Sequence, residues 1–357
     1  MDKRRKQRVV VVGGGIAGVH VAKALESEAS VSLIDPKDYL EIPYGALRNT
    51  VEPSFAERSI VPYSEFLTQV ELVQSAAVSV SSSPAQVSTS TGRKLPYDFL
   101  VISTGSHAKG APTRRDRIQE ILADHERLKR ASSILVVGGG PVGVELAGEI
   151  VTDFPEKSVS LVQGGPRLIE FLGPSASTKA LNWLTSKSVR VLLKERITSS
   201  ASPPIFTTES GKQIPADTHF VCTGSRPSSS WLKGTFLEDS LDGNGRLRVD
   251  SALLVSGTRN VFACGDITDL KEIKQGFLAE KHAKVVAANI RKLTNDADCG
   301  DLRCYCPLER AMGLVSLGRH AGVAQLPFGT FVGWIPGLVK SRDLFVGKTR
   351  KGLGLRS

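Results

Sequence analysis

Hydrophobic and polar positions repeat along this chain on the scale of whole domains. From Val9 to Leu25 an apolar strand, VVVV, breaks at closely spaced glycines and resumes as a helical pattern through Ala17, Val21 and Leu25. The same strand, glycine turn and helix return from Ile134 to Ile150 as ILVVGGGPVGVELAGEI, 125 positions later. Each copy is followed by a second strand, SVSLID ending at Asp35 and SVSLVQ ending at Gln163. Each half then closes on an apolar strand capped by Thr-Gly, FLVISTG to Gly105 and HFVCTG to Gly224. A β-like insertion precedes each closing strand; in the Ser-rich first one, the alternation of Val78, Val80 and Val87 predicts a hairpin rather than a linker. Past the second half, Val261 to Cys264 read as a strand that delivers Gly265 and Asp266 to a turn, and a helix starts at about Gly276. The pattern predicts an α/β protein of two doubly wound, Rossmann-like units with a small C-terminal segment. The first unit is expected over 1–110 and 256–300, the second over 111–255, and the C-terminal segment over 301–357.

The glycines carry the chemistry. Gly13, Gly15 and Gly18 are spaced G-x-G-x-x-G between strand and helix, and Gly138, Gly140 and Gly143 repeat the spacing. The first glycine permits the tight turn, the second lets backbone approach a pyrophosphate, and the third lets helix pack on strand, while the helix N-terminus offers donors and positive potential. Asp35, seventeen residues past Gly18, can accept hydrogen bonds from ribose hydroxyls. Gln163 stands at the matching place in the second unit, where it does not repel a 2'-phosphate, and Arg167 follows four residues on. Both NADH and NADPH are therefore expected to be accepted.

Composition and charge narrow the class. The 357 residues are 41% hydrophobic and 23% charged, as in soluble multidomain proteins. There is no run of about eighteen apolar residues, and MDKRRKQ leads straight into a strand, so neither a membrane span nor a signal peptide is expected. The formal charge of +10 gathers at the ends: residues 1–8 hold five Lys or Arg against one Asp, and 340–357 hold six against one. Basic tails suit an anionic surface and argue against a nucleic-acid binder, which spreads charge over a face; solubility alone is the plainer alternative. Cys222, Cys264, Cys299, Cys304 and Cys306 form no even framework, which points to a reducing, cytoplasmic setting. The C-x4-C-x-C spacing of the last three fits no zinc template, and no metal is expected.

With the Gly265-Asp266 turn in place, the chain resembles the two-dinucleotide-binding-domain flavoproteins. The resemblance implies FAD in the first unit and NADH or NADPH in the second, with Thr104, Gly105 and Gly224 at the strand ends beside them. It also implies that Asp266 binds the ribityl chain and that the helix from about Gly276 points its N-terminus at the flavin, where positive potential stabilises the anionic reduced ring. Disulfide reductases of this fold carry a Cys pair in the first helix or in the nicotinamide domain. Residues 1–221 contain no cysteine, so a disulfide relay is not expected.

More specifically, YGALRNTVEPSFAERSIVPYSEF at 44–66, EKSVSLV at 156–162, LVSLGRHAGVAQLPFG at 314–329 and GLVKSRDLFV at 337–346 resemble the ferroptosis suppressor protein branch of the apoptosis-inducing-factor-like oxidoreductases, related to type II NADH dehydrogenases. That branch implies an enzyme that oxidises NADH or NADPH and reduces lipid-soluble quinones, peripheral at an intracellular membrane or lipid droplet. Monomer and homodimer both stay open. By the same resemblance Glu145 approaches the nicotinamide, the alternative being an acid that merely suits a helix N-terminus, and Pro43, Tyr44 and Arg48 lie in the flavin-facing loop, with Arg48 polarising a quinone oxygen or held in a surface salt bridge. Lys281 and His282 sit on the helix behind the ring, Lys281 being the candidate catalytic cation. In animals the branch begins Met-Gly and is myristoylated; Asp2 stands here, so no acyl anchor is expected by that route. A reductase of monodehydroascorbate or of a small iron-sulfur protein, and a flavin-binding signalling protein, remain as alternatives.

The end of the chain interleaves Trp334, Ile335, Leu338, Val339, Leu344, Phe345 and Val346 with Lys340, Arg342, Lys348, Arg350 and Lys351. This mixture suits a segment lying on an anionic membrane. The irregular spacing equally allows the apolar groups to pack on the flavin unit or on a second subunit.

Overall fold

The computed structural model describes residues 5–106, 110–201, 205–224, 226–295, 302–341 and 343–356; Cys299 and Arg342 lie outside them. The first half runs β1 (Arg8–Val12), α1 (Ile16–Leu25), β2 (Ser30–Asp35), α2 (Ala46–Val51), β3 (Glu71–Gln74) and β4 (Phe99–Ile102). A long helix, α3 (Arg114–Arg130), leads to β5 (Ser133–Val137), α4 (Pro141–Asp153), β6 (Ser158–Gln163), α5 (Pro174–Ser186), β7 (Arg190–Leu193) and β8 (Thr218–Val221). The chain ends with β9 (Val261–Ala263), α6 (Gly276–Asn295), β10 (Gly313–Leu317), β11 (Ala321–Leu326), β12 (Gly329–Gly333), α7 (Trp334–Lys340) and α8 (Val346–Gly352).

Val9 to Val12 are all buried, as a strand covered on both faces must be. They form the centre of a five-stranded parallel sheet in the order β9-β4-β1-β2-β3. The second sheet has the order β7-β6-β5-β8, again parallel. Registers match between the halves: Val12 lies beside Ile34 and Ile102, and Val137 beside Val162 and Val221. The two glycine turns therefore leave their sheets at equivalent points, between the two neighbouring strand ends that flank each cradle.

The Ser-rich insertion is sheet, with strands Ala77–Ser82, Ala85–Thr89 and Lys94–Pro96 paired antiparallel. Val80 and Val87 face inward, but a register shift between Ala77 and Ser79 leaves Val78 exposed. The return to the first unit comes earlier than residue 256. Leu232, Leu237, Leu247 and Val255, expected in the second unit, pack in one cluster with Val10, Val12, Ile102 and Val261. Leu254 bridges Phe262 and Leu247 bridges Thr268, so this stretch folds along the chain that carries Asp266.

The C-terminal segment is a three-stranded antiparallel sheet, β10-β11-β12, followed by α7 and α8. Its tail does two things. Leu344, Val346 and Leu353 join the core of the first unit with Ile42, Phe55 and Val285, and the Phe345 ring meets Tyr44 edge-on at 6.0 Å. By contrast Phe328, Trp334, Ile335 and Leu338 stand in solvent, at 77%, 67%, 62% and 58% exposure. The tail is thus neither one interfacial segment nor fully packed: Trp334, Ile335 and Leu338 of α7 are exposed, whereas Leu344, Val346 and Leu353 beyond it are buried. Among the described residues no helix is long and apolar enough to cross a membrane.

Candidate active site

The glycines of the two cradles match one for one. Gly13 has φ +103° and Gly138 φ +112°; a Cβ at either would lie 2.5 Å from the carbonyl oxygen of Ser103 or Cys222. A Cβ on Gly18 or Gly143 would strike the carbonyl of the first glycine, at 1.9 and 1.8 Å. Gly15 and Gly140 differ: nothing lies within 4 Å of their Cβ positions. Each of these cradles has rigid walls and one open side at a helix N-terminus, the shape that accepts a pyrophosphate.

The strand-end side chains are held by the middle glycines. Asp35 Oδ2 accepts the Gly14 N–H at 2.6 Å, and Gln163 Oε1 accepts the Gly139 N–H at 2.8 Å. Burial pushes the Asp35 carboxyl above the usual carboxylate value, against Lys37 and its backbone donors. Tyr63 completes this first cradle, donating from its hydroxyl to the Gly14 carbonyl at 2.9 Å. In the second cradle Arg167, expected near a 2'-phosphate, donates instead to the Leu172 and Glu170 carbonyls. The first Thr-Gly end meets the stretch that follows the second: Thr104 donates to the Ser228 carbonyl at 2.8 Å, and Ser228 N–H to the Gly105 carbonyl at 3.0 Å. Gly105 and Gly224 both turn with positive φ, +57° and +87°.

Asp266 lies in the turn after β9, bonded to Ser106, and burial pushes its carboxyl above the usual value. The turn is fixed from behind. Gly265 N–H donates to His282 Nδ1 at 3.1 Å, His282 Nε2 lies 2.8 Å from Glu272, and the Tyr305 hydroxyl donates to Glu272 at 2.8 Å. Burial opposes the Glu272 carboxylate, but the bonds from His282 and Tyr305 outweigh it and hold its pKa below the usual value. Nδ1 accepts, so the ring proton sits on Nε2. Lys281 does not take part: the buried stripe of α6 runs through Leu278, Ala279, His282 and Val286, and Lys281 points to solvent over the Phe277 ring at 5.5 Å. Tyr44 does reach the start of α6, with its hydroxyl beside Gly276. A cavity of about 280 Å³ opens there, lined among others by Gln275, Leu278, Leu308 and Met312.

One face of α4 joins the three parts of the molecule through two acids a turn apart. Glu145 Oε1 accepts from the Ser316 N–H at 2.7 Å and from the Lys340 ammonium, which also donates to the Leu314 carbonyl at 2.8 Å. Glu149 receives Arg48 at 2.8 and 3.2 Å, both side chains almost fully buried. Arg319 adds bonds to Glu52 at 2.6 Å and to Asp153 at 3.0 Å. Arg48 therefore lies in a clasp between α2 and α4, and the salt bridge expected at the surface is instead buried. The sequence reading placed Lys340 among the cations of the tail and did not single out Arg319, because the partners of both are far away in the chain. The available signal was GVELAGEI itself, an apolar helix with two glutamates that must find cations once buried.

Cys222 and Cys264 are free thiols, and burial pushes them up to about 11 and about 12, so neither offers a thiolate at neutral pH.

Two nucleotide cradles of this kind, each at a helix N-terminus on a parallel sheet, are the pattern of a two-nucleotide oxidoreductase. The chain belongs to the pyridine nucleotide-disulphide oxidoreductase family, whose profile matches residues 7–289, and is an FAD-dependent NAD(P)H oxidoreductase. It is similar to ferroptosis suppressor protein 1 of Taeniopygia guttata, 33% identical over 97% of this chain and 96% of the relative. It is also similar to ferroptosis suppressor protein 1 of Homo sapiens, 33% identical over 96% and 95%. Among solved structures, sulfide:quinone oxidoreductase from Aquifex aeolicus shares the fold with a TM-score of 0.78 at 19% identity, covering 97% of this chain and 92% of that one.

Proposed function

We propose that this oxidoreductase passes electrons from NADH or NADPH, by way of FAD, to a lipid-soluble quinone, and works while resting on a membrane surface. FAD, when bound, takes hydride from the nicotinamide and yields the electrons onward to an acceptor. Gly13, Gly15, Gly18 and Asp35 hold its adenosine diphosphate half, Thr104 and Gly105 border it, and Asp266 binds the ribityl chain. Gly138, Gly140, Gly143, Gln163 and Gly224 hold the nicotinamide nucleotide. Glu145 orients the nicotinamide, and Lys340 keeps that carboxylate in place.

The observation that carries the quinone reading is the surface of α7. From Leu326 to Val339 no residue is charged, and Phe328, Trp334, Ile335 and Leu338 are exposed. Large apolar side chains exposed along one uncharged stretch mark an interaction site, and uncharged aromatic and aliphatic groups suit the acyl boundary of a bilayer. The same helix ends at Lys340, whose ammonium meets Glu145. A lipid-borne acceptor would thus arrive within one short helix of the nicotinamide site. The absence of cysteine from residues 1–221 fits an acceptor that takes electrons directly from flavin.

The test compares acceptors. Purified protein with NADH is offered a quinone, the ascorbyl radical and a ferredoxin under the same conditions. Turnover with quinone well above the other two supports the proposal, whereas turnover only with ascorbyl radical or ferredoxin refutes it.

A further inference from the structure

The second cradle lacks the strand-end acid of the first, yet a carboxylate and a guanidinium stand at its edge. Gln163 turns its carbonyl to Gly139 and its amide the other way, where Nε2 donates to Glu170 Oε1 at 2.9 Å. A Cβ on Gly165 would lie 1.5 Å from that same oxygen, so Glu170 occupies space that only glycine leaves. On the other side of the loop, Arg196 runs along Gly164, its guanidinium carbon 3.1 Å from that residue's Cβ position. Glu170 and Arg196 are both exposed. The loop is not free to relax. Ile169, a β-branched residue, has φ +41° while fully buried, and its N–H donates to the Gly139 carbonyl at 2.8 Å. A β-branched residue held in the left-handed region is a costly conformation, and strain of this kind is kept where surrounding structure fixes a functional loop.

The position itself has a known electrostatic logic. A carboxylate at the end of this strand accepts from the ribose hydroxyls of NAD and repels the 2'-phosphate of NADP, while a nearby arginine does the reverse. Asp35 shows where that position lies in the first unit, and matching registers put Gln163 in the same place. We propose that Glu170 and Arg196 set the choice between NADH and NADPH, Glu170 repelling a 2'-phosphate through its place beside Gln163 and Arg196 attracting it. Glu170 dominates, because Gln163 pins its carboxylate at the strand end. NADH is then the preferred donor. Arg167, spent on backbone carbonyls, does not decide the matter.

The inference rests on assigning the second cradle to the nicotinamide nucleotide, and the experiment separates the two. Equilibrium binding of NAD⁺ and NADP⁺ is measured on flavin-loaded wild type, Glu170→Gln, Arg196→Gln and Gly140→Val. At low salt the wild type binds NAD⁺ more tightly, by about tenfold. Glu170→Gln lowers the NAD⁺ to NADP⁺ affinity ratio by about tenfold, chiefly through tighter NADP⁺, and Arg196→Gln raises it. Because the charges are exposed, added salt shrinks the wild-type ratio, which a purely structural role would not cause. A ratio unchanged in both charge variants overturns the inference. If Gly140→Val keeps its affinity for both nucleotides, the cradle assignment falls, whatever the ratios do.

Discussion

Lys340, the last residue of a short surface helix, donates to the Oε1 of Glu145 on the second dinucleotide helix, 195 residues away in the chain. Neither side chain is more than 10% exposed. Removing one partner of such a pair leaves a charge buried without compensation, which costs about 3–5 kcal/mol. Lys340→Met is therefore expected to lower unfolding stability by about 3 kcal/mol or more, and Glu145→Gln in addition to restore a large part of it. Chemical denaturation of the two single variants and the double variant measures the coupling. Additive losses would show that the pair does not hold α7 to α4.

The cradles predict opposite phenotypes for neighbouring glycines. Gly15→Val extends a side chain into the open side, so the protein folds but carries little FAD. Gly18→Val has no space at all, since even a Cβ would sit 1.9 Å from the Gly13 carbonyl, and the variant should fail to fold. Flavin absorbance per folded protein, with circular dichroism as the folding check, distinguishes them; full flavin content in Gly15→Val contradicts the cradle assignment.

These cradles were legible from the sequence because their glycines recur at fixed spacing between a strand and a helix, and the clash that requires Gly18 and Gly143 is with the backbone of the first glycine of the same motif. That each unit is a doubly wound α/β sheet followed from the same repeat. What could not be read were contacts made by docking distant parts. The clasp around Glu149 takes Arg48 from α2 and Arg319 from the β10–β11 turn, and nothing in the spacing of those residues announces a common partner. The tail was ambiguous for a related reason. Leu344 and Val346 follow Leu338 closely, yet the chain turns between them, so one group enters the core and the other faces solvent. Lys281 and His282 differ only in which side of α6 they occupy, and the buried stripe of that helix decides it.

Burial raises the pKa of the Asp266 carboxyl, so its charge opposes folding in the absence of FAD. Below its unfolded value, about 3.9, both states are protonated and no penalty exists. The penalty develops as pH rises above that value towards the raised native one. After FAD is removed, Asp266→Asn should melt higher than wild type at pH 7, and the difference should vanish towards pH 4. The same substitution should weaken FAD retention. A melting difference that does not change with pH would contradict this account.

The α7 surface predicts membrane binding that does not need anionic lipid. At about 1.5 kcal/mol or more for each large side chain, replacing Trp334, Ile335 and Leu338 with serine should weaken liposome affinity by about a thousandfold or more. Sedimentation with neutral and with anionic vesicles separates this surface from the basic residues of the tail. Equal binding of the triple variant and the wild type would remove α7 from the interface.

The central claim is that electrons leave the flavin for a quinone, and rapid mixing tests it without the complication of steady-state turnover. FAD-loaded protein is reduced anaerobically with one equivalent of NADH, so that the visible flavin absorbance bleaches. It is then mixed with vesicles carrying a long-chain quinone. The account predicts that the absorbance returns as quickly as turnover requires, and more slowly in the triple α7 variant. Flavin that stays bleached with quinone but recovers with ferredoxin or ascorbyl radical would contradict it.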